Sequence, residues 1–171
     1  MVPGLPIETL TSLHVAISLV GISSGLLLFI RMIAGRDVSA VSIVFLVTTA
    51  ATTATGFLYP VSSAGVRHLV GVASLATLSV AVVSLYVFRL AGAWRAVYVI
   101  AALVALYFNC SAAVVQACRR LLPVAGDVEG DPQTYILFAQ GALLVLFIVL
   151  GALVLRMPRE RPQRTSAISP L

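Results

Sequence analysis

The sequence has no lysine and few charged side chains of any kind. Its 171 residues include 11 basic residues, all of them arginine, and 6 acidic residues. Charged residues are therefore 10% of the chain, against about 25% in soluble domains. The absence of lysine excludes retinal Schiff bases, pyridoxal chemistry and any catalytic lysine, because each needs a lysine amine. The low charge leaves too little polar surface to cover a water-soluble globule.

Apolar residues take the place of the missing charges. They make up 60% of the chain, against about 45–50% in soluble domains. Five segments are apolar on all faces and near the length of about 20 residues that a membrane-spanning helix needs. They cover approximately residues 10–33, 38–58, 66–90, 94–117 and 134–155. We expect an all-α polytopic membrane protein, with five transmembrane helices in a compact bundle.

Short connectors join the segments, so consecutive helices should be antiparallel neighbours. The sequence predicts a single transmembrane domain over residues 1–157, followed by a polar basic tail, residues 158–171, that we expect to be disordered. The lipid bilayer is then the first partner of this chain. A net charge of +5 would indicate nucleic acid for a soluble protein, but these arginines flank apolar segments, so we expect no nucleic-acid partner.

The arginines also predict an orientation. With alternating helices, three of them (Arg67, Arg119 and Arg120) fall on the side of the N-terminus. The other side receives eight: Arg31, Arg36, Arg89, Arg95, Arg156, Arg159, Arg161 and Arg164. Because positive residues are retained in the cytoplasm, we expect the N-terminus outside and the C-terminus inside.

The two histidines are the most distinctive polar residues near the spans. His14 and His68 each lie within about two turns of the outer end of an odd-numbered helix, so they should have similar depth. Small residues follow His14 on its face, including the pair Gly21-x-x-x-Gly25, whose spacing lets helices approach closely. We therefore expect His14 to face the bundle, whereas His68 adjoins Arg67 and could face water.

Several interpretations of the histidine pair stay open. His14 and His68 could ligate a haem b iron from facing helices. They could bind copper or zinc with Cys110 or Cys118, or act as proton or quinol-binding groups. The plainer interpretation is two interfacial imidazoles that hydrogen-bond to backbone or lipid headgroups.

Three amides form a second candidate group. Asn109 and Gln116 are seven residues apart and share a helix face, and Gln140 lies at comparable depth on the fifth helix. They could line a shallow polar pocket open to the outside. They could instead join helices, at about 0.6–2 kcal/mol per interhelical hydrogen bond, and the sequence favours this second role.

The two cysteines, Cys110 and Cys118, are eight residues apart on one helix. This spacing separates them by about 12 Å along the axis. A disulfide needs α-carbons within about 7 Å, so they should not pair with each other.

Five threonines, Thr48, Thr49, Thr52, Thr53 and Thr55, could line a solute path, but packing is the better explanation. No acidic residue lies within a predicted span, which argues against a typical proton- or sodium-coupled transporter. The common enzyme motifs are also absent from the sequence.

One part of the sequence resembles a known family. The stretch LAGAWRAVYV at 90–99, then ALYFN at 105–109 and VVQ at 114–116, is similar to a family of short bacterial inner-membrane proteins without an assigned activity. The resemblance implies a location in the bacterial inner membrane and brings no reaction with it.

The sequence as a whole predicts a non-catalytic membrane protein, either structural or a partner of another membrane subunit. His14, His68, Asn109, Gln116 and Gln140 would shape a shallow outer-leaflet pocket. The alternatives are a haem-binding electron-transfer protein that uses the two histidines, and a small-solute permease that uses the threonine face.

Overall fold

Five long helices make up the chain in a computed structural model, which describes residues 6–59, 64–121 and 131–157, without the side chains of 64, 66 and 67. They are α1 (Ile7–Ile33), α2 (Ser39–Phe57), α3 (Ala64–Val82), α4 (Trp94–Leu121) and α5 (Pro132–Arg156). All five are long and apolar enough to cross a membrane. The prediction of an all-α bundle with five spans is confirmed. The predicted tail at 158–171 lies outside the described residues.

The turn between α1 and α2 uses local polar bonds to reverse the chain. Gly35 adopts a φ of 64°, which glycine tolerates because it has no Cβ. Asp37 then accepts hydrogen bonds from the Ser39 hydroxyl at 2.7 Å and from the Ser39 N–H at 3.4 Å. These two bonds hold the pKa of the Asp37 carboxyl below its ordinary value. Arg31 donates from Nε to the Asp37 carbonyl at 2.7 Å, which ties the end of α1 to the start of α2.

The starts of α5 and α1 carry residues that favour a helix N-terminus. Asp131 accepts from the Gln133 N–H at 3.0 Å, and Pro132 occupies the first turn of α5, where its missing N–H costs nothing. α1 begins three residues before the predicted Leu10 and so contains Glu8 in its first turn, where a negative charge is favourable.

The passage from α3 to α4 is irregular. The helix widens through a π turn, Val83–Val87, in which one extra residue enters the helical repeat. Arg89 and Leu90 follow with left-handed φ values of 49° and 56°. The rings of Phe88 and Trp94 stack with centroids 3.6 Å apart and planes within 3°, which closes the connection.

α4 is the centre of the bundle. It contacts each of the other four helices, while α1 pairs closely with α2. Within the described ranges, α1 does not touch α3, and α5 touches neither α2 nor α3. The core contains large apolar side chains that are fully buried, including Leu28, Phe29, Phe45 and Leu106.

The outer surfaces of the helices are apolar, as lipid contact requires. Leu137, Phe138, Val145 and Ile148 on α5 are each more than 60% exposed. Only 17% of the most apolar stretch of α5 is buried in the bundle, against 44% for α4. Such a surface would not be stable in water, so this chain is a multi-pass integral membrane protein.

Candidate functional site

His14 lies at the interface of α1 and α2, near the start of α1 and the end of α2. Its Nδ1 atom is 2.8 Å from the Thr55 hydroxyl oxygen. The ring of Tyr59 meets the imidazole edge-on, with centroids 5.6 Å apart and planes at 85°. The Tyr59 hydroxyl in turn donates to the Thr11 hydroxyl at 3.2 Å. His14 is therefore half-buried and faces the bundle, as its small-residue face predicts.

The partners of Thr55 decide which nitrogen of His14 carries the proton. The Thr55 hydroxyl donates back to its own helix, 2.9 Å from the Ala51 carbonyl and 3.0 Å from the Thr52 carbonyl. Since a hydroxyl has one proton to give, a Thr55 hydroxyl that donates to its own helix accepts from Nδ1–H of His14. The neutral imidazole of that tautomer has Nε2 as its acceptor, and its Cε1 atom lies 3.8 Å from the position of a Cβ on Gly56.

His68 lies on the other flank of α2. Its ring packs at 5.5 Å from that of Phe57, with the planes tilted by 58°. Phe57 and Thr55 are two residues apart, which separates them by about 200° around α2. α2 therefore stands between the two imidazoles, and α1 and α3 do not touch in the described part of the chain. His14 and His68 thus contact different residues of α2, Thr55 and Phe57.

The three amides have separate surroundings. Asn109 is buried and donates to the Thr49 hydroxyl at 3.4 Å, close to Gly21. Gln140 accepts from the Ser111 hydroxyl at 2.8 Å and donates to the Ser111 carbonyl at 3.0 Å. Gln116 is exposed near the end of α4. Asn109 thus joins α4 to α2, Gln140 joins α5 to α4, and the three amides do not share a pocket.

Four of the five threonines of α2 each reach a neighbouring helix, while Thr48 bonds to its own backbone. They bond in three directions, because residues 49, 52, 53 and 55 lie at different angles around α2. The pairs are Thr49 with Asn109 of α4, Thr52 with Ser18 of α1 at 3.5 Å, Thr53 with Ser74 of α3 at 3.2 Å, and Thr55 with His14 of α1. Among the described residues, no buried side-chain nitrogen or oxygen lacks a hydrogen-bond partner. This arrangement joins helices and leaves no row of unpaired hydroxyls for a solute.

A further buried pair was not anticipated from the sequence. The hydroxyl of Tyr98, a fully buried residue of α4, donates to the Ser42 hydroxyl of α2 at 3.0 Å. The sequence does contain one indication of this pair. Tyr98 precedes Asn109 by 11 residues, about three turns, and so lies on the same face of α4. Both residues therefore bond to α2, at different depths.

The cysteines and acids form no metal site in the described ranges. Cys110 is buried, Cys118 is partly exposed and both are free thiols on the unbroken helix α4, so the prediction that they do not pair is confirmed. No group of three histidine, cysteine or acidic side chains lies close enough to hold a metal ion there.

Comparison of the chain with protein-family models, curated proteins and solved structures found no match. The site must therefore be interpreted from its own residues.

Proposed function

We propose that this chain is a non-catalytic integral membrane protein, a structural or partner subunit whose polar side chains hold its helices in one arrangement. The observation that carries the proposal is that the polar side chains form hydrogen bonds between helices. The buried ones described in the structure all have partners, and those of α2 bond to α1, α3 and α4. Such bonds contribute about 0.6–2 kcal/mol each between membrane helices.

The proposed location is the bacterial inner membrane, with the N-terminus outside. The arginine asymmetry supports the orientation, and the resemblance of the fourth helix to short bacterial inner-membrane proteins supports the compartment. On this orientation, His14 and Tyr59 lie in the outer leaflet and are the remaining basis for a shallow polar site there.

A comparison of threonine variants tests the proposed role. Thr53→Val removes a bond between α2 and α3, whereas the matched Thr48→Val removes a hydroxyl that bonds only to its own helix, to the Val44 carbonyl at 2.7 Å. We expect Thr53→Val to lower the free energy of unfolding by about 0.6 kcal/mol or more, and Thr48→Val to leave it nearly unchanged.

Liposome flux and a visible spectrum separate the alternatives. We expect reconstituted protein to pass small polar solutes no faster than empty liposomes, and purified protein to show no Soret band. Flux that Thr52→Val abolishes would establish a permease instead. A Soret band that His14→Ala and His68→Ala each remove would establish the haem protein.

A further inference from the structure

A groove between α3 and α4 has no role in the bundle described above. It is an open groove of about 410 Å³, and its walls are formed by Ala76, Thr77 and Val80 of α3 and by Val97, Ile100, Ala101 and Val104 of α4. Val80 and Ile100 at its rim are 44% and 52% exposed, so the groove opens toward the membrane. The single polar wall residue, Thr77, donates its hydroxyl to the Ser74 carbonyl at 2.9 Å. The groove is therefore suited to an apolar occupant.

The length of the groove indicates what kind of apolar occupant fits. On α4 it runs from Val97 to Val104, about 10 Å at 1.5 Å per residue. It starts one turn inside the helix and ends near mid-span, so it occupies one leaflet of a hydrocarbon core about 30 Å thick. A partner helix would need contact across both leaflets, whereas an acyl chain occupies one. The groove thus matches a lipid tail.

An aromatic pair lies at the interfacial end of the groove. Trp94 precedes Val97 by three residues, Ala101 by seven and Val104 by ten, so these four residues follow one face of α4. The ring of Trp94 stacks on Phe88, at the end of the helical run that carries the α3 wall. Aromatic residues favour the boundary between hydrocarbon and headgroups, where a lipid tail joins its headgroup.

A cation stands next to this pair. Arg89 directly follows Phe88, is exposed and adopts the left-handed conformation that turns the chain toward α4. The neighbouring Arg95 is committed elsewhere, because it donates to the Val154 and Met157 carbonyls at the end of α5, at 3.3 Å and 3.1 Å. Arg89 is therefore the guanidinium that a headgroup phosphate at the mouth of the groove would meet.

We propose that this groove binds an anionic phospholipid of the arginine-rich leaflet, with one acyl chain between α3 and α4 and its phosphate at Arg89. The apolar walls, the one-leaflet length, the aromatic pair and the adjacent cation all fit this ligand. The lipid would seal the α3–α4 seam and fix the irregular connection that follows the π turn.

The single tryptophan of the chain gives a direct test. The protein is reconstituted in vesicles of unlabelled phosphatidylcholine. In one series an increasing fraction of the lipid is brominated phosphatidylglycerol, and in the other it is brominated phosphatidylcholine. Bromine quenches Trp94 fluorescence on contact. We expect the brominated phosphatidylglycerol to bind about fivefold more tightly, the preference that one arginine near the surface provides.

Two pairs of variants test the proposed phosphate contact at Arg89 and the apolar groove separately. Arg89→Gln should equalise the two lipids, whereas Arg89→Lys should keep the preference for phosphatidylglycerol. Ala76→Phe fills the groove from its exposed rim and should reduce quenching by both lipids, whereas Ala142→Phe, an equivalent change on the exposed side of α5, should not. Equal quenching by the two lipids in the native protein would overturn the proposal, as would quenching that Ala76→Phe leaves unchanged in a helical, folded protein.

Discussion

One ring nitrogen of His14 is occupied by Thr55, at 2.8 Å, so any chemistry of this imidazole belongs to the other nitrogen. The role of each remaining polar side chain likewise depends on its hydrogen-bond partner. Some hydroxyls bond only to their own backbone, as Thr48 does, while others reach a neighbouring helix, as Tyr98 does. The first kind leaves the fold almost unaffected, and the second joins two helices.

The tautomer of His14 is a testable consequence of its surroundings. We expect neutral His14 to carry its proton on Nδ1, because the Thr55 hydroxyl is already a donor to its own helix. Nitrogen-15 NMR of the two histidines distinguishes the tautomers. Thr55→Val should release the Nδ1 proton from its acceptor and change the His14 signal while that of His68 stays the same. A proton on Nε2 in the native protein would mean that Thr55 donates to His14 instead.

Tyr98 tests the value of a single buried bond. Tyr98→Phe keeps the ring and removes the hydroxyl that donates to Ser42 at 3.0 Å. We expect the free energy of unfolding in mixed micelles to fall by about 0.6–1.7 kcal/mol. The control is Tyr86→Phe, since Tyr86 is 55% exposed and should tolerate the loss of its hydroxyl to within about 0.5 kcal/mol. Equal effects of the two substitutions would assign the Tyr98 hydroxyl no structural role.

At the scale of the helices, small residues decide which pairs pack most closely. Gly21 and Gly25 of α1 are both buried, which confirms that their face turns into the bundle. A Cβ on Gly25 would lie 2.6 Å from the Leu106 Cδ1 atom and 2.9 Å from the Phe45 Cε2 atom. Both of these side chains are fully buried, so they would have to shift within the packed core. Gly25 therefore permits the contact of α1 with α2 and α4 at once.

The Gly25→Ala substitution should show this close contact directly. We expect it to lower the free energy of unfolding by about 1–3 kcal/mol, as overpacking does in tight cores. Gly141→Ala on α5 is the matched control, because its new Cβ would meet no atom within 4 Å. The control should be neutral or slightly stabilising, since alanine favours a helix over glycine by about 1 kcal/mol. A neutral Gly25→Ala would show that α1 can shift away from α4 without cost.

At the scale of the whole molecule, the distribution of charge predicts the orientation in the membrane. The ends of α1 and α5 and the start of α4 carry Arg31, Arg156 and Arg95 at one end of the bundle, as the contact of Arg95 with the end of α5 requires. Arginines at that end should stay on the cytoplasmic side. The described arginine side chains near the other end are those of Arg119 and Arg120.

Two fusions test the orientation. A reporter that is active only outside the cytoplasm should be active when fused after Leu121, at the end of α4, and inactive when fused after Arg156, at the end of α5. The pair is its own control, because both fusions carry the same reporter after an apolar helix. The reverse pattern would place the N-terminus in the cytoplasm and the arginine-rich end outside.

Much of the fold was predictable, and less of the candidate site was. The burial of Gly21 and Gly25 and the separation of Cys110 from Cys118 follow from spacing along a single helix. The bond between Tyr98 and Ser42 does not, because each residue alone looks like an ordinary member of an apolar span. Spacing assigns a residue to a helix face, but it does not say which neighbour that face meets.

The sequence by itself determined that five apolar segments become helices, since a backbone in lipid must satisfy its hydrogen bonds within the segment. Only the tertiary structure decided which polar residues meet. It put α2 between His14 and His68, dispersed the three amides and opened a groove between α3 and α4. The physical reason is that segment length and hydrophobicity are local properties, whereas the neighbour of each helix depends on the packing of all five.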